Sequence, residues 1–184
     1  DGIIPAIKSA VTFEEQPPLY FVLASIWKYF VGNNVFGIRA FSILCTVSFL
    51  VVLFKFVKII SNDYYGTLAL TLAVAVHPQV IWMATEARGY ALWVFLVLLQ
   101  IYLVAKHLIF GSPQWKNWIG ITITSLLSVL THPFTAFILF SELIVLVFFR
   151  RWKYLVYLMG VCLVILIIVS PVYYKILSAS SEAI

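Results

Sequence analysis

Residues 68–108 read LALTLAVAVHPQVIWMATEARGYALWVFLVLLQIYLVAKHL, an apolar run broken near its middle by Glu86 and Arg88. A spanning helix needs about 20 apolar residues, so the run holds two crossings joined at a charged turn. An ionisable residue at membrane depth costs roughly 2.5 to 3.5 kcal/mol on insertion scales. Glu86 and Arg88 therefore require a partner, a water-filled cavity or a function.

Composition agrees with a membrane protein. Of 184 residues, 64% are hydrophobic and 10% charged, against roughly 25% charged in an average soluble domain. Stretches such as residues 38–57 and 155–172 leave nothing from which to build a water-facing surface. The chain starts at Asp1 without Met or a signal-peptide pattern and stops at Ile184 just after an apolar segment. It reads as an internal piece of a longer protein. Cys45 and Cys162 lie in apolar runs and read as inert thiols. The net charge of +5 comes from basic residues at helix ends, with no basic stripe and no aromatic platform for nucleic acid.

Turn residues divide the chain into an all-α, polytopic bundle with six predicted spans. They are Phe36 to Ile60, Thr67 to Thr85, Glu86 to Phe110, Trp118 to Leu130, Phe134 to Phe149 and Lys153 to Tyr174. The fourth and fifth are short, which requires tilt or continuation past the break at His132 and Pro133. Residues 1–35 form a separate unit before the bundle of residues 36–184. In it, Ile3, Ile4, Ile7 and Val11 alternate with Lys8, Ser9 and Thr12 at a spacing suited to an amphipathic surface helix. Pro17 and Pro18 then start a helix over Phe21 to Val31, too short to cross and read as re-entrant or interfacial.

Lys55, Lys58, Lys106, Lys116, Arg150, Arg151 and Lys153 gather on one face, which the positive-inside rule makes cytoplasmic. Glu86, Arg88 and His132 then fall at the outer ends of helices. Two readings of the Glu86, Arg88, Tyr90 group stand side by side. One is a surface ion pair flanked by the anchoring aromatics Trp82, Tyr90 and Trp93. The other is a phosphate site, since the guanidinium fork matches two oxygens at once, with Glu86 orienting Arg88, binding a metal or contacting a sugar. His132 reads by default as a packed histidine, His77 with Pro78 as a satisfied histidine at a kink, and Glu142 as a group turned toward other helices. Arg39 either snorkels to headgroups or points at lipid-linked phosphate.

Taken in order, Gln16, Pro17, Pro18, Leu19 and Tyr20, then Arg39, then Trp82 followed by Glu86, Ala87, Arg88 and Tyr90, then Thr131 and His132 resemble the bacterial protein-mannosyltransferase-like glycosyltransferases. These are polytopic enzymes of the GT-C fold related to glycosyltransferase family 39 and to the aminoarabinose transferases of lipid A. The likeness runs from about Ile3 to Phe149. Glu86 to Leu92 match the Glu-Ala-Arg-x-Tyr-Ala-Leu motif throughout, whereas Gln16 replaces the His of the usual His-Pro-Pro-Leu-Tyr.

The resemblance implies an enzyme of the bacterial inner membrane that moves a sugar from a polyprenyl-phosphate donor to a glycan, lipid or protein acceptor at the outer face, inverting the anomeric carbon. Arg88, with Tyr90 and Arg39, would hold the donor phosphate. Gln16, Pro17, Pro18, Tyr20 and His132 would line the substrate site, with Glu14 and Glu86 as accessory carboxylates. The base that deprotonates the acceptor would lie before Asp1, itself a poorly placed substitute, so this piece alone is expected to transfer no sugar. Gln16 removes an imidazole and leaves a divalent metal open. The alternatives are a non-catalytic binder or transporter of a lipid-linked sugar and a structural membrane subunit.

Overall fold

A computed structural model describes residues 16–32, 34–110 and 115–182, together with Pro5, Ile7 and Ala10. Among them run eight helices and no strand: α1 (Leu19–Val31), α2 (Val35–Ser61), α3 (Tyr64–Ala75), α4 (Pro78–Thr85), α5 (Tyr90–Phe110), α6 (Trp115–Val129), α7 (Thr135–Phe148) and α8 (Trp152–Glu182). Pro5, Ile7 and Ala10 are helical. The rest of the predicted amphipathic segment, with Asp1 and Glu14, lies outside the described residues.

The helix boundaries follow local chemistry. Gly32 ends α1 at φ 79°, a left-handed conformation natural to glycine. Asn34 then caps α2 by accepting the Gly37 N–H. At the far end of α2, Asn62 is left-handed and Asp63 accepts the N–H groups of Tyr65 and Gly66 at 3.1 and 2.9 Å, starting α3. His77 Nδ1 accepts the Gln79 N–H at 3.2 Å and Pro78 occupies the first turn of α4. Proline suits that position because its missing donor is not needed there.

Among the described residues three helices, α2, α5 and α8, are each long and apolar enough to cross a bilayer. A fourth crossing arises if α3 and α4, bent by 59°, count as one broken span. The six predicted spans are therefore corrected to three or four. The helices α6 and α7 hold 15 and 14 residues and at 1.5 Å per residue rise roughly 20 to 23 Å, short of the roughly 30 Å hydrocarbon core. Pro78 divides the predicted second span, and the third begins at Tyr90 rather than Glu86. Pro171 does not stop α8. It frees the Ile167 carbonyl, to which the neighbouring Ser170 hydroxyl donates at 3.3 Å, the usual repair for proline in an apolar helix.

Two apolar clusters hold the bundle. Tyr20, Ala24, Cys45, Ala91, Leu92 and Leu96 join α1, α2 and α5. Ile121, Leu139, Leu146, Leu158, Val161, Ile165 and Val169 join α6, α7 and α8. The pair α2 and α5 forms the most extensive helix contact. Cys45 and Cys162 are free thiols. Phe137, Phe140, Ile144 and Phe148 on α7 and Leu163, Leu166 and Ile167 on α8 are exposed, a surface matched to lipid in this multi-pass membrane protein.

Replacing an N-cap Asp by Ala costs about 1 kcal/mol. Asp63→Ala should accordingly lower the melting temperature of the detergent-solubilised protein, and Asp63→Asn should keep most of it. An unchanged midpoint in Asp63→Ala would remove the cap from the account of α3.

Candidate functional site

The chain leaves helical geometry between α4 and α5. Glu86 is extended (φ −82°, ψ 129°), and its N–H still reaches the Trp82 carbonyl at 2.9 Å. Its own carbonyl faces α2, where the Ser42 hydroxyl donates to it at 2.8 Å. Ser42 is 1% exposed, so this bond lies in a dry interior and fixes the turn against α2. Arg39 precedes Ser42 by three residues, on the same side of the helix one turn nearer its start. It is exposed and forms no ion pair with a described residue.

Glu86 and Arg88 form an ion pair, Nε to Oε1 at 3.5 Å, with side chains 30% and 56% exposed. A pair so accessible contributes at most about 1 kcal/mol in water. The bond occupies Nε alone; among the described residues the two terminal guanidinium nitrogens make no hydrogen bond. Arg88 thus lies beside Glu86 with its fork unpaired among the described residues.

Gly89 closes the turn against α1. A Cβ there would lie 3.3 Å from Tyr20 Cβ, 3.5 Å from its Cγ and 3.6 Å from Thr131 Cγ2. A side chain there would crowd Tyr20, so glycine favours this close approach of α1. Pro17 and Tyr20 are buried, and Gln16 is half-buried with its N–H on the Ala10 carbonyl at 3.0 Å. Leu19 N–H donates to the Leu130 carbonyl at 3.1 Å, tying the start of α1 to the end of α6. The Tyr20 hydroxyl is buried and interacts with Ser42, the residue that holds Glu86.

The turn between α6 and α7 completes the group. The His132 ring lies 4.8 Å from Trp93, 6.0 Å from Tyr90 and 4.9 Å from Phe134, and Trp82 continues the row 5.6 Å beyond Tyr90. Trp93 Nε1 donates to Thr135 Oγ1 at 2.9 Å, and that hydroxyl donates to the His132 carbonyl at 2.9 Å. His132 Nδ1 accepts the Phe134 N–H at 3.3 Å. This assigns the proton of the neutral ring to Nε2. Burial lowers the imidazole below its ordinary range.

The structure therefore brings Gln16 to Tyr20, Arg39, Glu86 to Tyr90 and His132 to one end of the bundle. Glu14 lies outside the described residues. Among the described residues no three His, Cys, Asp or Glu side chains come together as a metal site. Ser42, Thr135 and the relay through Trp93 were not singled out from sequence. Gly89 was legible inside its motif, whereas a serine in a long apolar helix carries no signal. Chemically, the arrangement offers an exposed cation whose terminal donors are unpaired among the described residues, a second exposed Arg on α2, and an aromatic row. That combination suits an anionic head on an apolar or sugar-bearing ligand.

The sequence profile of a family described as dolichyl-phosphate-mannose-protein mannosyltransferase matches residues 15–174. No curated protein and no solved structure matches the chain.

Overpacking a tight contact costs about 1 to 3 kcal/mol, so Gly89→Ala should destabilise the protein measurably and Gly89→Leu more, as read by thermal unfolding. Equal midpoints for all three proteins would show that α1 does not close on this turn. A second expectation concerns pH. The folded state favours neutral His132, so stability from this group is full above the unfolded pKa and falls as pH drops below it. Nitrogen-15 spectra of labelled histidine should place the His132 midpoint below 6.5, its ordinary value; a midpoint at or above that value would mean that the ring is solvated.

Proposed function

The chain belongs to the dolichyl-phosphate-mannose-protein mannosyltransferase family, and from that premise we propose that Arg88 holds the donor phosphate of an inverting sugar transfer at the outer membrane face. Membership implies a membrane glycosyltransferase with a polyprenyl-phosphate sugar donor. The observation that carries the finer reading is an exposed guanidinium paired with Glu86 through Nε, whose terminal nitrogens make no hydrogen bond among the described residues.

The acceptor oxygen attacks the anomeric carbon as its proton passes to a general base. The bond from that carbon to the phosphate oxygen breaks on the opposite side, and the polyprenyl phosphate departs with an added negative charge. Leaving-group charge is the quantity an enzyme must stabilise here, and a preorganised cation does so without reorganising water. Arg88 supplies it, Glu86 fixes the direction of the fork, and Arg39 adds a longer-range positive field. His132, neutral with Nε2–H as donor, and Gln16 hydrogen-bond the sugar or phosphate, and Tyr90 packs beside them. The general base is not assigned to a described residue. The distribution of Lys and Arg supports an outward Arg88 end, and the likeness to bacterial members of the family supports an inner-membrane location.

Losing one charge-stabilising donor costs about 100- to 1,000-fold. In membranes carrying the protein in its native context, Arg88→Ala should lower transfer from a polyprenyl-phosphate sugar by about 100-fold or more, with Arg88→Lys recovering only part. Wild-type transfer in a correctly inserted Arg88→Ala protein would return Arg88 to an anchoring role. Donor binding that depends on Arg88, without transfer, would assign the site to a binder or transporter.

A further inference from the structure

Deep between α5 and α7 lies a polar pair that the proposed chemistry does not use. Gln100 is 0% exposed, and its Nε2 donates to Glu142 Oε2 at 2.8 Å. The two remaining oxygens, Gln100 Oε1 and Glu142 Oε1, are shut off from solvent and have no hydrogen-bond partner. If Glu142 were ionised, both would be acceptors facing a site with no donor, and a buried charge would stand without a counter-ion. Both defects are unfavourable in an apolar interior. Turning the amide over does not cure it, because one oxygen of each group still lacks a hydrogen.

A single proton removes both defects. Carried on Glu142, it removes the charge and supplies an O–H donor where two acceptors otherwise have none. No cation competes for the carboxylate. Lys116 stands in the first turn of α6 and residues 118–129 of that helix carry no charged or titratable side chain; α7 carries only Glu142, and α8 presents Cys162 toward it, with Lys153 and Lys175 nearer its two ends. On α5 the nearest others, Tyr102, Lys106 and His107, lie further along the helix.

The position of the pair gives it a consequence for the site. The backbones of α5 and α7 are not closely packed; two side-chain bridges span them, Trp93 to Thr135 and Gln100 to Glu142. Both helices advance by the same number of residues between bridges, so they run parallel in matched register. The first bridge also bonds the His132 carbonyl through Thr135. We propose that Glu142 is kept as a neutral carboxylic acid paired with Gln100, and that this pair is a positioning element setting the register of α7 and, through Thr135, the placement of His132 beside Tyr90 and Trp93. It is independent of the identity of the ligand at Arg88.

Folding takes up a proton at Glu142, so stability from the pair is present at low pH and lost as pH rises. Infrared spectra of the detergent-solubilised wild type at neutral pH should show a protonated-carboxyl stretch that is absent from Glu142→Gln and displaced in Gln100→Leu. Lack of such a band in the wild type would overturn the proposal. Glu142→Gln, which reproduces the neutral pair, should keep the His132 nitrogen signals and the melting temperature while flattening their dependence on alkaline pH. Glu142→Leu should shift both. If Glu142→Gln behaves like Glu142→Leu, or keeps the wild-type pH dependence, the neutral pair is not what holds α7. Should Glu142→Leu fail to fold, the infrared band and the Glu142→Gln comparison decide alone.

Discussion

Between Glu86 and Gly89 the chain abandons helical geometry inside an apolar hairpin, and the turn is held by contacts to neighbouring helices and within itself. Ser42 on α2 donates to the Glu86 carbonyl, the Glu86 carboxylate holds Arg88, and the bare backbone of Gly89 admits Tyr20 and Thr131. Backbone polar groups in an apolar solvent must be satisfied internally, so a non-helical turn survives here only because three other elements surround it. That requirement draws α1, α2 and the α6–α7 turn to one place. The charge-bearing residues follow as a result of the packing.

Much of the site was legible because motif residues and turn-formers coincide. Pro17, Pro18, Gly89, His132 and Pro133 all mark breaks, and breaks in a bundle of this kind occur at helix ends. The contacts that tie these breaks together were not legible. Ser42 and Thr135 resemble the many hydroxyls that bond a carbonyl in their own helix, as Thr46, Thr71 and Ser128 do here. Only the fold distinguishes a serine that satisfies its own helix from one that satisfies a neighbour.

The number of spans was misjudged for a related reason. Hydrophobicity reports what a segment is willing to contact, and α6 and α7 are apolar enough for lipid. Length decides crossing, and Leu130 to Phe134 end one helix and begin the next before either reaches the required rise. Pro78 and Pro171 both lie inside predicted spans and act differently. His77 caps a new helix at Pro78, so the axis bends. At Pro171 the Ser170 hydroxyl supplies the lost hydrogen bond, and α8 continues.

The distribution of polar side chains along α5 explains why this helix stands at the centre. Trp93, Gln100 and His107 recur at seven-residue spacing and so share one stripe. Trp93 meets Thr135 and Gln100 meets Glu142, while the His107 ring lies 4.5 Å from Trp118 and 4.7 Å from Tyr154. A stripe carrying a carboxamide and an imidazole cannot face lipid without a cost of several kcal/mol. Orientation of α5 is therefore fixed from within, one rotation being acceptable and the others penalised. Because α5 begins at Tyr90, two residues after Arg88, the same constraint sets where the charged turn joins the helix. Interior polarity, normally a burden in a membrane bundle, here aims the site.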